Sequence, residues 1–172
     1  MPQSRITVLP RRLVGRWLVA LCALPVLAAG AAAIEPVPPN TVITLQRGAC
    51  EKRCAVYKVV LFADGTLIYE GRHYVRQVGV VRDKVPIEAI KTLLDEFQAA
   101  GFFQLADQYG YTSEAGCGSM LSDGPVAIVT VVSGAKSKSV IHNHRCVGPV
   151  SAQLTQLEGS IDKLANSVRW VR

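Results

Sequence analysis

No stretch of this sequence is an apolar run long enough to settle as a membrane span. The longest, WLVALCALPVLAAGAAA, counts 17 residues, is broken by Pro25 and Gly30 and thins to alanine at its end. As a permanent span it is marginal. It follows a basic stretch with Arg5, Arg11, Arg12 and Arg16 and ends in Ala31-Ala32-Ala33, the layout of an export signal cleaved after Ala33. Cys22 follows Leu21 rather than a small residue, which argues against lipid attachment there. The surroundings of Arg11-Arg12 fit a twin-arginine signal poorly. A large excess of one charge is also missing. Four of the 19 basic residues and none of the 13 acidic ones lie in residues 1–33, so the remaining 139 residues hold 15 against 13, a net charge of +2. Scattered charge at that level carries no footprint for nucleic acid. Contact with a membrane is expected only through the signal segment, if it is uncleaved.

Catalytic motifs are missing as well. The serines lie in no nucleophile elbow. Gly116-Cys117-Gly118 lacks the Lys and Ser or Thr of a phosphate loop. A Cys–His nucleophile needs a free thiol, which export disfavours. No catalytic residue and no cofactor are therefore assigned, and the balance leans away from an enzyme. Internal repeats and low-complexity blocks are absent too.

What is present reads as one domain. Residues 34–40, rich in proline at Pro36, Pro38 and Pro39, form a short extended tether. Residues 41–172 follow as a single unit, long enough to bury a core. TVITLQR alternates Ile43, Leu45 and Arg47 with Val42, Thr44 and Gln46, as a strand does. In YKVVLFADGTLIYEG, Asp64-Gly65 suits a two-residue hairpin turn, which would pair Phe62 with Leu67 and Leu61 with Ile68. One side of that hairpin ends in Tyr57, Glu70 and Arg72 at a rim, beside His73. HYVRQVGVVR extends the meander. Pro86 opens a helix bearing Ile87, Ile90, Leu93, Leu94 and Phe97, and Gly101 ends it. A long connection follows, whose Asp107, Tyr109 and Tyr111 read as loop residues covering a sheet edge. A second hairpin turns at Ser133-Gly134. The last helix, from Pro149, carries Val150, Leu154, Leu157, Ile161, Leu164 and Val168 on one face, with Trp170 packed at its end. The expected fold class is α+β: an antiparallel sheet of about five strands with two main helices on one face, in the order strands, helix, two strands, helix.

The domain keeps four cysteines, an even number that favours disulfides outside the cytosol. Three pairings are possible, and Cys50–Cys54 with Cys117–Cys146 is favoured because the first two are too close in sequence to lie far apart. Four-cysteine zinc fails on spacing, since Cys117 and Cys146 stand 29 apart. A redox couple normally has two residues between its cysteines at a helix N-terminus, whereas Cys50 and Cys54 precede a strand. In HNHRC, His142 and His144 would share one strand face, as two metal ligands do. A third ligand would have to come from His73, a carboxylate or Cys146. The plainer expectation is polar residues at the exposed end of a strand, with no metal. Tyr57, Arg72, His73, His142 and His144 are thus candidate binding residues only.

CEKRCAVYKVVLFADGTLIYEG, IEAIKTLLDEFQAAGFFQLADQY, KSKSVIHNHRC and LTQLEGSIDKLANSVRW together resemble a bacterial family of small exported proteins classified only as a domain of unknown function. The resemblance spans nearly all of residues 41–171. Its pattern runs Cys-x-x-x-Cys-x-x-Tyr, an Asp-Gly hairpin, a helix ending before Phe-Phe, and a terminal helix followed by Trp. Members more typically have proline after the second cysteine, where this chain has Ala55. The family name implies no activity. The expectation is therefore a periplasmic or secreted, non-catalytic binding or structural module of unknown ligand, with an envelope protein as its possible partner. The alternative is a periplasmic thiol-redox or metal-binding protein using Cys50, Cys54, His142 and His144. A further alternative is an inhibitor of an envelope enzyme.

Overall fold

A computed structural model describes residues 36–110 and 117–172; the expected signal segment and Tyr111 lie outside the described residues. The strands are β1 (Val42–Arg47), β2 (Val56–Phe62), β3 (Thr66–His73), β4 (Gly79–Lys84), β5 (Gln108–Tyr109), β6 (Ser119–Met120), β7 (Val126–Ser133), β8 (Lys136–Asn143) and β9 (Cys146–Val147). The helices are α1 (Ile87–Ala99), α2 (Pro149–Ala165) and the short α3 (Val168–Val171). Seven strands form one sheet in the order β4-β3-β2-β1-β7-β8-β5, and β6 pairs with β9 apart from it.

The sheet is larger than the expected five strands, and it is mixed. β5 runs parallel to β8, with Gln108 beside Ile141 and Tyr109 beside His142. Two residues give no periodicity to read, so this edge strand has no sequence signature. Tyr109, expected in a loop over the sheet edge, belongs to the edge strand itself and is buried.

Alternation builds the core. Ile43 and Leu45 of β1 face the same side as Tyr57, Val59 and Leu61 of β2, Leu67 and Tyr69 of β3, Ala127, Val129 and Val131 of β7, and Val140 of β8. Ile90, Leu93, Leu94 and Phe97 of α1 and Leu154, Leu157 and Ile161 of α2 close over that face in one continuous cluster. Both helices therefore belong to one layer. Helical spacing misleads at the ends of these stripes: Ile87 and Val168 are exposed. Asn166 adopts a left-handed backbone, φ 49°, which ends α2. The chain then turns so that Trp170 stacks on Tyr69, ring centroids 4.6 Å apart.

The first hairpin differs from its expected register by one residue. Leu61 pairs with Leu67 and Val60 with Ile68, across a three-residue loop Ala63-Asp64-Gly65. Only Gly65 has positive φ, 75°, and Gly65 N–H returns to Phe62 C=O at 3.0 Å. A two-residue type I′ turn needs both central residues left-handed; here Asp64 instead accepts from the backbone N–H and hydroxyl of Thr66, each at 2.8 Å. The second hairpin turns at Gly134-Ala135, one residue later than expected, since Ser133 already pairs with Lys136. The end of the proline segment is tied to this turn: Asn40 exchanges two hydrogen bonds with Gly134.

Candidate functional site: a charged cluster between sheet and helix

Strand pairing lays one cross-strand row over the inner face. Tyr57 of β2 pairs with Arg47 of β1, Arg47 with Ala127 of β7, Ala127 with His142 of β8, and His142 with Tyr109 of β5. The next row, Tyr69-Val59-Leu45-Val129-Val140, is apolar; this one carries a guanidinium and an imidazole. The methyl of Ala127 stands between them, and Glu158 comes down from α2 to bond both.

Glu158 and Asp162 are one helical turn apart on the stripe defined by Leu154, Leu157 and Ile161. Two carboxylates at that spacing repel. Arg47 lies across them: one guanidinium nitrogen bonds Glu158 Oε2, and the other donates to Asp162 Oδ2 at 2.8 Å. Tyr57 Oη donates to Asp162 Oδ1 at 2.8 Å, and Ser167 Oγ donates to the same oxygen at 2.7 Å. Glu158 Oε1 accepts from His142 Nδ1 at 2.7 Å, and Oε2 accepts from His144 Nε2 at 2.8 Å. Ser151 spends its proton on the Cys146 carbonyl at 2.6 Å, so its oxygen accepts from His142 Nε2 at 2.7 Å. Both ring nitrogens of His142 therefore act as donors.

Burial is graded along the cluster. Glu158 and His142 are enclosed, whereas the side chains of Arg47, His144 and Asp162 keep 18–20% of their surface. Burial alone would raise the Glu158 carboxyl. Hydrogen bonds from His142 and His144 and the charge of Arg47 outweigh it and hold the group near 2, fully ionised. For Arg47 burial acts downward, and the two carboxylates outweigh it and raise the group. Burial pushes the Tyr57 phenol up to about 12, helped by Asp162.

The phenol gives a pH test. Its folded value lies above the usual 10, so its contribution is complete below pH 10 and is lost as pH rises towards 12. Stability is expected to fall by up to about 2 kcal/mol across that window. Tyr57→Phe should flatten this part of the profile, as measured by urea midpoints at successive pH values. Equal slopes for the two proteins would contradict the assignment.

Among the residues expected to bind, the structure joins His142, His144 and Tyr57 to this cluster. His142 lies wholly inside rather than at an exposed strand end. The two histidines do share a face, rings 4.3 Å apart. Arg72 and His73 are exposed on β3, separated from β8 by β2, β1 and β7, and Arg72 bonds Glu70. They are not part of this site. Arg47, Ser151, Glu158 and Asp162 of the cluster are outside the set expected from sequence. A signal existed for three of them: Arg47 shares the parity of Ile43 and Leu45, and Glu158 and Asp162 interrupt the apolar stripe of α2.

Both favoured disulfides are present, Cys50–Cys54 with Cα atoms 5.7 Å apart and Cys117–Cys146 with 5.1 Å. The second fixes the strand end that supplies the Cys146 carbonyl to Ser151. The first closes the loop between β1 and β2, immediately beyond Arg47.

An α+β domain with a mixed seven-stranded sheet, two disulfides and an internal salt-bridge cluster is the class of protein these features define. Residues 41–165 match the domain of unknown function DUF6438, and the chain belongs to that family. No curated protein matches the chain.

Proposed function

We propose that this protein is exported to the periplasm or beyond, with residues 1–33 removed as a signal, and acts there as a non-catalytic binding or structural domain toward an envelope protein. The observation that carries the reading is mutual satisfaction. Cys50, Cys54, Cys117 and Cys146 are joined in pairs, and the carboxylates of Glu158 and Asp162 each hold partners on both oxygens within the domain. Groups so engaged serve stability and shape more readily than proton transfer or nucleophilic attack. A thiol-redox role for Cys50 and Cys54 is less well supported. The pair sits in a loop leading into β2, whereas thiol-redox couples are typically set at a helix N-terminus.

Peptide mass mapping of the exported protein without reductant tests this reading. The expected result is an N-terminus at Ile34 and both disulfides intact after equilibration with a reducing glutathione buffer. An intact N-terminus in the cytosolic fraction, or ready reduction of Cys50–Cys54 in that buffer, would overturn it in favour of a redox protein.

A further inference from the structure

The interior of the charged cluster has the donor set of a metal site. His142 Nδ1, His144 Nε2 and a carboxylate oxygen of Glu158 lie within 4.8 Å of one another. We propose that His142, His144 and Glu158 bind a divalent transition ion of the zinc class, and that Arg47 occupies its place when no ion is bound. This goes beyond the reading above, which needs no ion.

Four features support the assignment. First, two imidazoles and one carboxylate are a ligand set that suits zinc and its neighbours and leaves a fourth position open. Ligand atoms around a tetrahedral zinc are about 3.4 Å apart, given bonds near 2.1 Å. The histidine nitrogens stand 2.7 and 2.8 Å from the Glu158 oxygens and no two of the three donor atoms are more than 4.8 Å apart, so shifts of about 1 Å bring them to that spacing.

Second, the outer support is in place. With Nδ1 on an ion, His142 keeps Nε2–H on Ser151, whose hydroxyl is held by the Cys146 carbonyl. A metal-bound histidine is normally oriented in this way, through its other nitrogen. The Cys117–Cys146 disulfide anchors that carbonyl. His144 is fixed by its own N–H on Pro125 C=O at 2.9 Å, and a Cβ on Gly124 would come within 2.8 Å of the His144 carbonyl carbon.

Third, the groups the ion must displace can be released. Binding moves the Arg47 guanidinium from Glu158 onto Asp162 and displaces the protons on His142 Nδ1 and His144 Nε2, so that each imidazole presents a lone pair to the ion. Fourth, Arg47 has somewhere to go. It holds Asp162 independently through its other nitrogen and is the cluster's partly exposed cation, so it can leave Glu158 without leaving the site.

The test is zinc titration of the full-length oxidised chain against a chromophoric chelator, with cobalt as a visible-absorbing substitute. Arg47→Met removes the competing cation and should tighten zinc binding about ten-fold or more relative to wild type, at one ion per chain. His144→Ala, made in the partly exposed ligand, should weaken it about 10–100-fold or more. Cobalt should give the intense visible bands of four-coordinate geometry in the Arg47→Met protein and lose them in the Arg47→Met/His144→Ala protein. Far-ultraviolet circular dichroism and the disulfide map confirm that each variant is folded. No zinc binding by folded Arg47→Met protein would overturn the proposal. So would stoichiometric binding that survives the loss of His144, or an affinity indifferent to Arg47.

Discussion

Glu158→Ala is expected to lower the unfolding free energy by about 3–5 kcal/mol, the largest effect of any single substitution in the site. The carboxylate is wholly buried and accepts from Arg47, His142 and His144. Removing it leaves a half-buried guanidinium and an enclosed, doubly donating imidazole facing a void. The loss follows from stranding those donors, not from the worth of an isolated ion pair. Replacing both partners should therefore be gentler. The double variant Arg47→Met/Glu158→Leu should destabilise by less than the sum of the single changes, with a coupling of about 1–3 kcal/mol. Urea unfolding of the four proteins closes the cycle. A Glu158→Ala loss below about 1 kcal/mol would mean that the cluster does not hold α2 to the sheet.

The second large effect is expected from Cys117→Ser/Cys146→Ser. The two cysteines are separated by 29 residues, and loss of a crosslink closing a loop of that size costs about 3–4 kcal/mol in the chain-entropy description. Cys50→Ser/Cys54→Ser opens a loop with a separation of only four, so the same relation gives about 2 kcal/mol. The native state should widen that difference. Cys146 also lends its carbonyl to Ser151 and thereby orients His142, whereas the Cys50–Cys54 loop carries exposed Glu51, Lys52 and Arg53. Denaturation midpoints of the two double variants measure the contrast. Equal losses, or a greater loss from the shorter loop, would contradict it.

Much of the architecture was legible in the chain because it is written locally. Alternation in TVITLQR and VAIVTVV, the stripe on IEAIKTLLDEF, Pro86 and Pro149 at helix starts and Gly101 at a helix end are short-range signals. Parity of number pointed to disulfides, and the short spacing of Cys50 and Cys54 favoured one of the three possible pairings. The hairpin register failed because Asp-Gly serves more than one turn type, and the choice depends on whether Asp64 bonds Thr66 or takes a left-handed backbone. Short β5, β6 and β9 failed because two residues have no period. Trp170 was expected at the end of a continuous helix, but the helix breaks at Asn166 and a separate turn delivers the indole to Tyr69.

The site was half legible. Parity along KSKSVIHNH placed His142 and His144 on one face. Whether that face met water or protein was not a property of the strand, and it turned out to be the covered one. Arg72 and His73 looked equivalent to the histidines as polar residues near a rim, yet three intervening strands separate them from β8.

By itself, the sequence determined the α+β class and the two helices, because each depends on periodicity or on contacts a few residues long, and it favoured one of three cysteine pairings. Tertiary structure alone decided that Arg47, His142, Glu158 and Asp162 meet. Those four lie up to 115 positions apart, and charges are driven together inside a core only when strand register and helix packing leave them no water to face.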